Sequence, residues 1–126
     1  MGNVIYEQES FEIINKCMEV HKFLGMGFRE QVYKDSLAIE FLNSGVFFER
    51  EKMYDVQYKG IVLKHKYFAD FVVFDKIILE IKSASSITDE YIAQAYNYLR
   101  VSGNQLALIV NFGETSLRFK RIVLFK

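Results

Sequence analysis

Apolar residues recur at helical spacing at the start of the chain. Phe11, Ile14, Cys17 or Met18, His21 and Leu24 predict an amphipathic helix from about Glu7 to Leu24. Gly25 and Gly27 break it and permit a sharp turn. A second helix from about Arg29 to Asn43 carries Val32, Tyr33, Leu37, Ile39 or Glu40, and Phe41, and ends before Gly45. The period then changes to that of strands. Phe47 to Tyr58 and Ile61 to Phe74 read as antiparallel partners joined at Lys59-Gly60, and a turn at Asp75-Lys76 leads into a third strand, Ile77 to Ser83. Thr88-Asp89-Glu90 signals a helix start, and that helix reaches about Val101 before Ser102-Gly103. Leu106 to Asn111 is a buried strand by its unbroken apolar run, and Leu117 to Phe125 alternates as a last strand.

Candidate chemistry sits on the central strands. Side chains two apart on a strand share a face, so Glu80 and Lys82 project together while Ile81 points the other way. The preceding hairpin brings Asp70 beside them. Carboxylate oxygens are the hard ligands that Mg²⁺ and Mn²⁺ prefer, and a bound ion both generates a hydroxide nucleophile and neutralises charge on a scissile phosphate. Lys82 is then placed to position or deprotonate the attacking water. A surface strand ending in a Glu/Lys ion pair has the same spacing, so the motif alone is compatible with either reading.

Context separates the two. Gly27-Phe28-Arg29-Glu30-Gln31-Val32-Tyr33 follows Val20-His21-Lys22-Phe23-Leu24-Gly25, and then come, in order, Tyr58-Lys59-Gly60, Ala69-Asp70, Glu80-Ile81-Lys82, Gln94, Tyr98 and Asn111-Phe112-Gly113. From about residue 10 to the C-terminus this succession resembles the GxxExxY family, which is grouped with the PD-(D/E)XK nucleases. The resemblance implies an α/β (α+β) fold with a restriction-endonuclease-like core, a mixed central β-sheet flanked by helices. It also implies metal-dependent phosphodiester chemistry on DNA or RNA with Mg²⁺ or Mn²⁺. Asp70 and Glu80 correspond to metal ligands, with the Ile81 carbonyl as a further oxygen, and Lys82 to the catalytic lysine. Glu30 resembles an additional acidic residue that some branches place near the metal. Gln94 and Tyr98, at i and i+4 on one helical face, resemble a substrate-positioning element. Tyr33, one turn from Glu30, is placed to brace its carboxylate.

The chain departs from the family pattern at Met26, where proline is usual, at Phe68, where arginine is common, and at Tyr91, where histidine often precedes the glutamine. Lys64 and Lys66 alternate onto the face of Phe68 and Asp70, so Lys66 is a candidate phosphate contact in place of the arginine. The alternative to an enzyme is a nuclease fold of weak or lost activity that binds nucleic acid or protein.

Composition sets the outer bounds. With 126 residues, 51% of them hydrophobic and none proline, the sequence predicts one domain, 1–126, with a substantial core. No run of about 18 apolar residues predicts a membrane span, and no basic, then apolar, leader opens the chain, so a cytoplasmic protein is expected. Cys17 is a single cysteine, which excludes an internal disulfide and predicts a core position. Sixteen basic residues balance sixteen acidic ones, so any grip on a polyanion must be local. Lys59, Lys64 and Lys66 form one candidate patch; Arg118, Lys120 and Arg121 form another. The apolar positions of the last strand also suit a homodimer edge. His21 falls on an apolar stripe and is expected to be a hydrogen-bonded core histidine. Assembly of Glu30, Asp70 and Glu80 would crowd like charges, which raises carboxylate pKa values as a coupled set.

Overall fold

A computed structural model describes residues 4–125. The elements run α1 (Glu7–Leu24), α2 (Glu30–Asn43), β1 (Phe48–Tyr58), β2 (Ile61–Val73), β3 (Ile77–Lys82), α3 (Asp89–Ser102), β4 (Leu106–Asn111) and β5 (Arg118–Val123). The strands form one five-stranded sheet in sequence order. β1, β2 and β3 pair antiparallel, β3 and β4 pair parallel through the α3 crossover, and β5 returns antiparallel. The sheet is therefore mixed, with helices on both faces.

Alternation along the strands builds a core on each face. Phe71, Val73, Ile77, Leu79, Ile81, Leu106, Leu108 and Val110 pack with α1 and α2 residues such as Ile13, Cys17, Leu37 and Phe41. Ala69, Val72, Ile78, Ala107 and Ile109 pack with Ala95, Tyr98 and Leu99 of α3. Because β3 and β4 are covered on both sides, they read as continuous apolar runs and not as alternating ones. Helix ends follow local chemistry. The Thr88 hydroxyl accepts a bond from the Tyr91 N–H, Asp89 and Glu90 occupy the positive end of the helix dipole, and Gly103 closes α3 in the left-handed conformation.

Two hairpins set the sheet's geometry. At the β1–β2 tip, Lys59 and Gly60 have φ values of 50° and 82°, the two positive angles a tight hairpin needs. The β2–β3 turn is centred one residue earlier than the sequence suggests, on Phe74 and Asp75 at φ 57° and 58°, with the Lys76 N–H bonded to the Val73 carbonyl. Packing of the Phe74 ring against the α1–α2 side offsets the cost of holding an aromatic residue there.

Regular alternation fails at one level of the sheet. Ala69 and Val72 both face α3, so the two residues between them, Asp70 and Phe71, fall together on the other side. β1 breaks in step: Arg50 pairs with Phe71 and Lys52 with Ala69, leaving Glu51, at φ 54°, opposite Asp70 outside the ladder. Farther out, Asp55 pairs with Lys66 and Gln57 with Val62, a second irregularity that leaves Val56 facing Leu63, Lys64 and His65. Lys66 is committed there. Its Nζ lies 2.6 Å from Asp55 Oδ1 and 3.2 Å from the Leu63 carbonyl, holding the bulge in place of a free phosphate contact.

β5 ends the sheet, and its exposed Arg118 and Lys120 put charge on that edge, which discourages strand addition. Beyond β4, Asn111 is fully buried and clamps the β3–α3 loop: its amide nitrogen donates to the Ala84 carbonyl and to Glu114, while its oxygen accepts the N–H groups of Ala84 and Gly113. Gly113 lies against the Ala84 main chain so tightly that a methyl group would overlap it. Gly113→Ala is therefore expected to destabilise the fold by about 1–3 kcal/mol in urea denaturation; a change within 0.5 kcal/mol, the ordinary range for surface sites, would show that the loop yields freely.

Candidate active site

The site begins where β2 and β3 part. Their pairing runs through Val73↔Ile77, Val72↔Ile78 and Phe71↔Leu79, and then the ladder stops. At the next level two side chains replace the main-chain acceptors. The Asp70 N–H donates to Glu80 Oε2 at 2.9 Å, and the Ile81 N–H donates to Asp70 Oδ2 at 2.8 Å. Each carboxylate thus bonds the backbone of the opposite strand. Bonds of this kind contribute on the order of 1 kcal/mol each, and more where the acceptor is charged, and they fix both acids relative to the sheet.

Environment separates the two acids. Glu80 is buried at 4% exposure on the face that α3 covers. Burial, then the charge of Asp70, pushes its carboxyl up to about 8. Burial, then the charge of the same two acids, raises the Tyr98 hydroxyl well above its ordinary range. That hydroxyl donates to the Phe68 carbonyl at 2.8 Å, and its ring meets Tyr67 edge-on, so Tyr98 holds β2 at the fork.

Lys82 projects toward α3 beyond Glu80. Its Nζ lies 3.4 Å from Gln94 Oε1 and 4.6 Å from the centre of the Tyr91 ring. Gln94 therefore touches the lysine, and the Tyr91 ring supplies a cation–π face for it.

On the other side of the fork stands a residue that sequence reasoning passed over. Lys34 of α2 places Nζ 3.1 Å from Asp70 Oδ1 and 2.5 Å from Glu51 Oε1. Only 8% of this lysine is exposed. Its ammonium is pulled down by burial but held above the ordinary lysine range by the two carboxylates. A signal was present in the sequence: Lys34 stands three and seven residues before Leu37 and Phe41, on the buried stripe of the helix, where an unpaired lysine is almost never found. Glu51 carried no such signal, because its position depends on a positive φ at a non-glycine residue.

Two expected contacts do not form. Glu30 opens α2, exposed, and lines a groove of about 690 Å³ with Phe28, Ser83 and Ala84. It makes no contact with Asp70 or Glu80, and among the described residues no three acids, histidines or cysteines converge. The physical reason is helical: Lys34, one turn further on, is what α2 presents to Asp70. Tyr33 does not brace Glu30. Its hydroxyl donates to the Gly25 carbonyl at 2.5 Å and accepts the Phe28 N–H, while its fully buried ring stacks on Phe112 at 4.5 Å. It pins the α1–α2 turn, and the Ser83 hydroxyl bonded to the Phe28 carbonyl ties that turn to the end of β3. His21 bonds the Glu114 carbonyl at 2.9 Å, outside the site.

Asp70, Glu80, the Ile81 main chain and Lys82 are thus gathered at one fork of a mixed sheet, a nuclease-like α+β arrangement. A family model described as the PD-(D/E)XK nuclease superfamily matches residues 7–122, and the chain belongs to that superfamily. Among solved structures, the protein designated SSO0001 superposes with a TM-score of 0.56 at 21% identity, over 94% of this chain and 59% of that one. An alkaline exonuclease from Laribacter hongkongensis superposes with a TM-score of 0.55 at 16% identity, over 99% of this chain and 73% of that one. This chain therefore spans under two-thirds of the length of SSO0001, and likeness at these identities speaks to the fold. No curated protein matches the chain. Among the described residues, no helix is long and apolar enough to cross a membrane.

The raised Glu80 carboxyl predicts a pH-dependent stability in the absence of added metal. The folded state holds this proton more tightly than the unfolded chain, so stability falls as pH rises from the ordinary value of 4.5 to about 8. Glu80→Gln keeps an acceptor for the Asp70 N–H and removes the titration. Urea denaturation at pH 5 and pH 8 is expected to show wild type losing stability, by up to an order of 3–5 kcal/mol, while the variant changes far less. Equal pH slopes in the two proteins would assign the titration to another group.

Proposed function

We propose that this protein is a divalent-metal-dependent nuclease that hydrolyses phosphodiester bonds of DNA or RNA. The observation that carries the reading is the convergence of Asp70 and Glu80 at the β2–β3 fork, with Lys82 beside them. Membership of the nuclease superfamily supports it.

The donor set fits a hard cation. Two carboxylates plus a main-chain carbonyl suit Mg²⁺ or Mn²⁺, which complete their shells with water and substrate phosphate. The mutual charge that raises the Glu80 carboxyl beside Asp70 is relieved by a cation between the two acids. Asp70, Glu80 and the Ile81 carbonyl would hold the ion. A bound ion supplies an activated water and neutralises developing phosphate charge.

The chain's own residues do the rest. Lys82, steadied by Gln94 and the Tyr91 ring, presents an ammonium to the attacking water or to a phosphate oxygen. Tyr98 keeps the fork from closing by holding the Phe68 carbonyl. Glu30, Arg29 and Ser83 line the adjoining groove, where a substrate strand has room to lie. The projecting β1–β2 arm supplies a local attraction that net charge does not: beyond the Asp55–Lys66 pair it carries Lys59, Lys64 and His65.

The test is incubation with labelled single- and double-stranded DNA and RNA in Mg²⁺ or Mn²⁺. Cleavage is expected to vanish on chelation and to fall at least about 100-fold in Asp70→Asn and in Lys82→Ala; cleavage that survives Asp70→Asn would belong to a contaminant or another site. Binding is expected to weaken with salt, and Lys59→Ala with Lys64→Ala should lower the slope of log affinity against log salt by about 2 on duplex DNA. A second reading, a nuclease fold that binds without cutting, is favoured by the cation that Asp70 already carries in Lys34. Salt-sensitive binding without cleavage across all substrates would select it.

A further inference from the structure

Lys34 is out of keeping with its surroundings. It lies on the buried stripe of α2 beside fully buried Leu37 and Phe41, and a lysine there is tolerated only when paired. Two carboxylates answer one ammonium. Asp70, 15% exposed by side chain, is an acid proposed above to hold metal; Glu51, 47% exposed, is not.

The backbone is distorted to create this arrangement. Glu51 adopts a left-handed φ of 54°, which favours glycine, and it does so opposite Asp70, where both strands abandon alternation. The paired breaks turn one extra acid from each strand toward α2, and both meet Lys34. A simple anchor for α2 would need one carboxylate, so the second requires its own explanation.

We propose that Lys34 is the resting cation of the site: its ammonium neutralises Asp70 in the metal-free protein, and a divalent ion binds by displacing it onto Glu51. Lys34 and Glu51 then set metal affinity without ligating the ion. The proposal rests on the metal-site reading above. Its logic is competition: an ammonium on Asp70 Oδ1 and a divalent ion on the same carboxylate repel each other, so one must withdraw. Glu51 lets the ammonium withdraw without becoming a buried unpaired charge.

The consequence is a pair of opposite effects. Lys34→Met keeps the length and apolar stem but frees Asp70, and Mn²⁺ should bind roughly 10-fold more tightly. Glu51→Gln removes the second seat and leaves the ammonium on Asp70, so Mn²⁺ should bind more weakly, by several-fold or more on the same scale. Metal-free Lys34→Met should melt below wild type and gain more from Mn²⁺.

The experiment is calorimetric Mn²⁺ titration of the full chain as wild type, Lys34→Met, Glu51→Gln and Asp70→Asn, with melting curves beside it. Tighter binding in Lys34→Met with weaker binding in Glu51→Gln supports the proposal, as does binding that appears only in Lys34→Met. Unchanged or weaker binding in Lys34→Met, while wild type binds and Asp70→Asn does not, overturns it and leaves the metal site standing. No binding in wild type, Lys34→Met or Glu51→Gln overturns the metal site itself. Should Lys34→Met fail to fold, Glu51→Gln at its exposed position decides alone: affinity equal to or above wild type overturns the proposal.

Discussion

Everything distinctive about this protein depends on an exchange of hydrogen bonds between two diverging strands. Where β2 and β3 separate, each would leave main-chain N–H groups without partners near the core, a cost of about 1–3 kcal/mol apiece. Asp70 and Glu80 supply the missing acceptors across the gap, each bonding the other strand. The acids are thus structural before they are chemical. A sheet that closed normally at this level would need neither, and a fork without them would be unsatisfied. The stability of the fork and the chemistry proposed for it therefore rest on the same oxygens.

That economy has an electrostatic cost, and the surrounding charges are arranged around it. Two carboxylates joined through adjacent peptide units repel, and burial deepens the penalty on Glu80. Cations answer from both faces of the sheet: Lys82 from the end of β3 toward α3, and Lys34 from α2. Neither is positioned by its own helix or strand alone. Gln94 and Tyr91 hold Lys82, and Glu51 shares Lys34. A balanced total of charge thus conceals a concentrated local pattern, which is why net charge says little about affinity for a polyanion.

Most of the fold was legible because it follows short-range rules. The periods of α1 and α2, the Thr88 cap, the Gly103 stop and the apolar runs of β3 and β4 predict elements within a residue or two of those observed. Pairing Glu80 with Lys82 on one face followed from alternation, since β3 is regular. The remainder was hidden where alternation fails. Asp70 and Glu51 are turned by breaks that involve no glycine or proline, so no residue type announces them. Its strand face suggests a substrate contact for Lys66, yet Asp55 and the bulge at Leu63 claim it. Tyr33 and Glu30 share a motif without sharing a contact, because one points into the core and the other into a groove. Spacing reports which residues neighbour each other along an element, and not which of them tertiary packing consumes.

Lys34 illustrates the converse point. Its burial on an apolar stripe was readable, but its meaning was not, because a buried lysine announces only that carboxylates must lie nearby. Their identity depends on three separate segments meeting: α2, the distorted level of β1, and the same level of β2. Distortion at that level does two things at once. It ends the β2–β3 ladder, which creates the carboxylate fork, and it turns Glu51 and Asp70 toward α2, which secures a counter-ion for the resulting charge. Carried on without a break, the alternation of Arg50 and Phe71 would turn Glu51 and Asp70 toward α3, away from Lys34, and the fork would carry its repulsion without that counter-ion. The irregular level is therefore a requirement of the site.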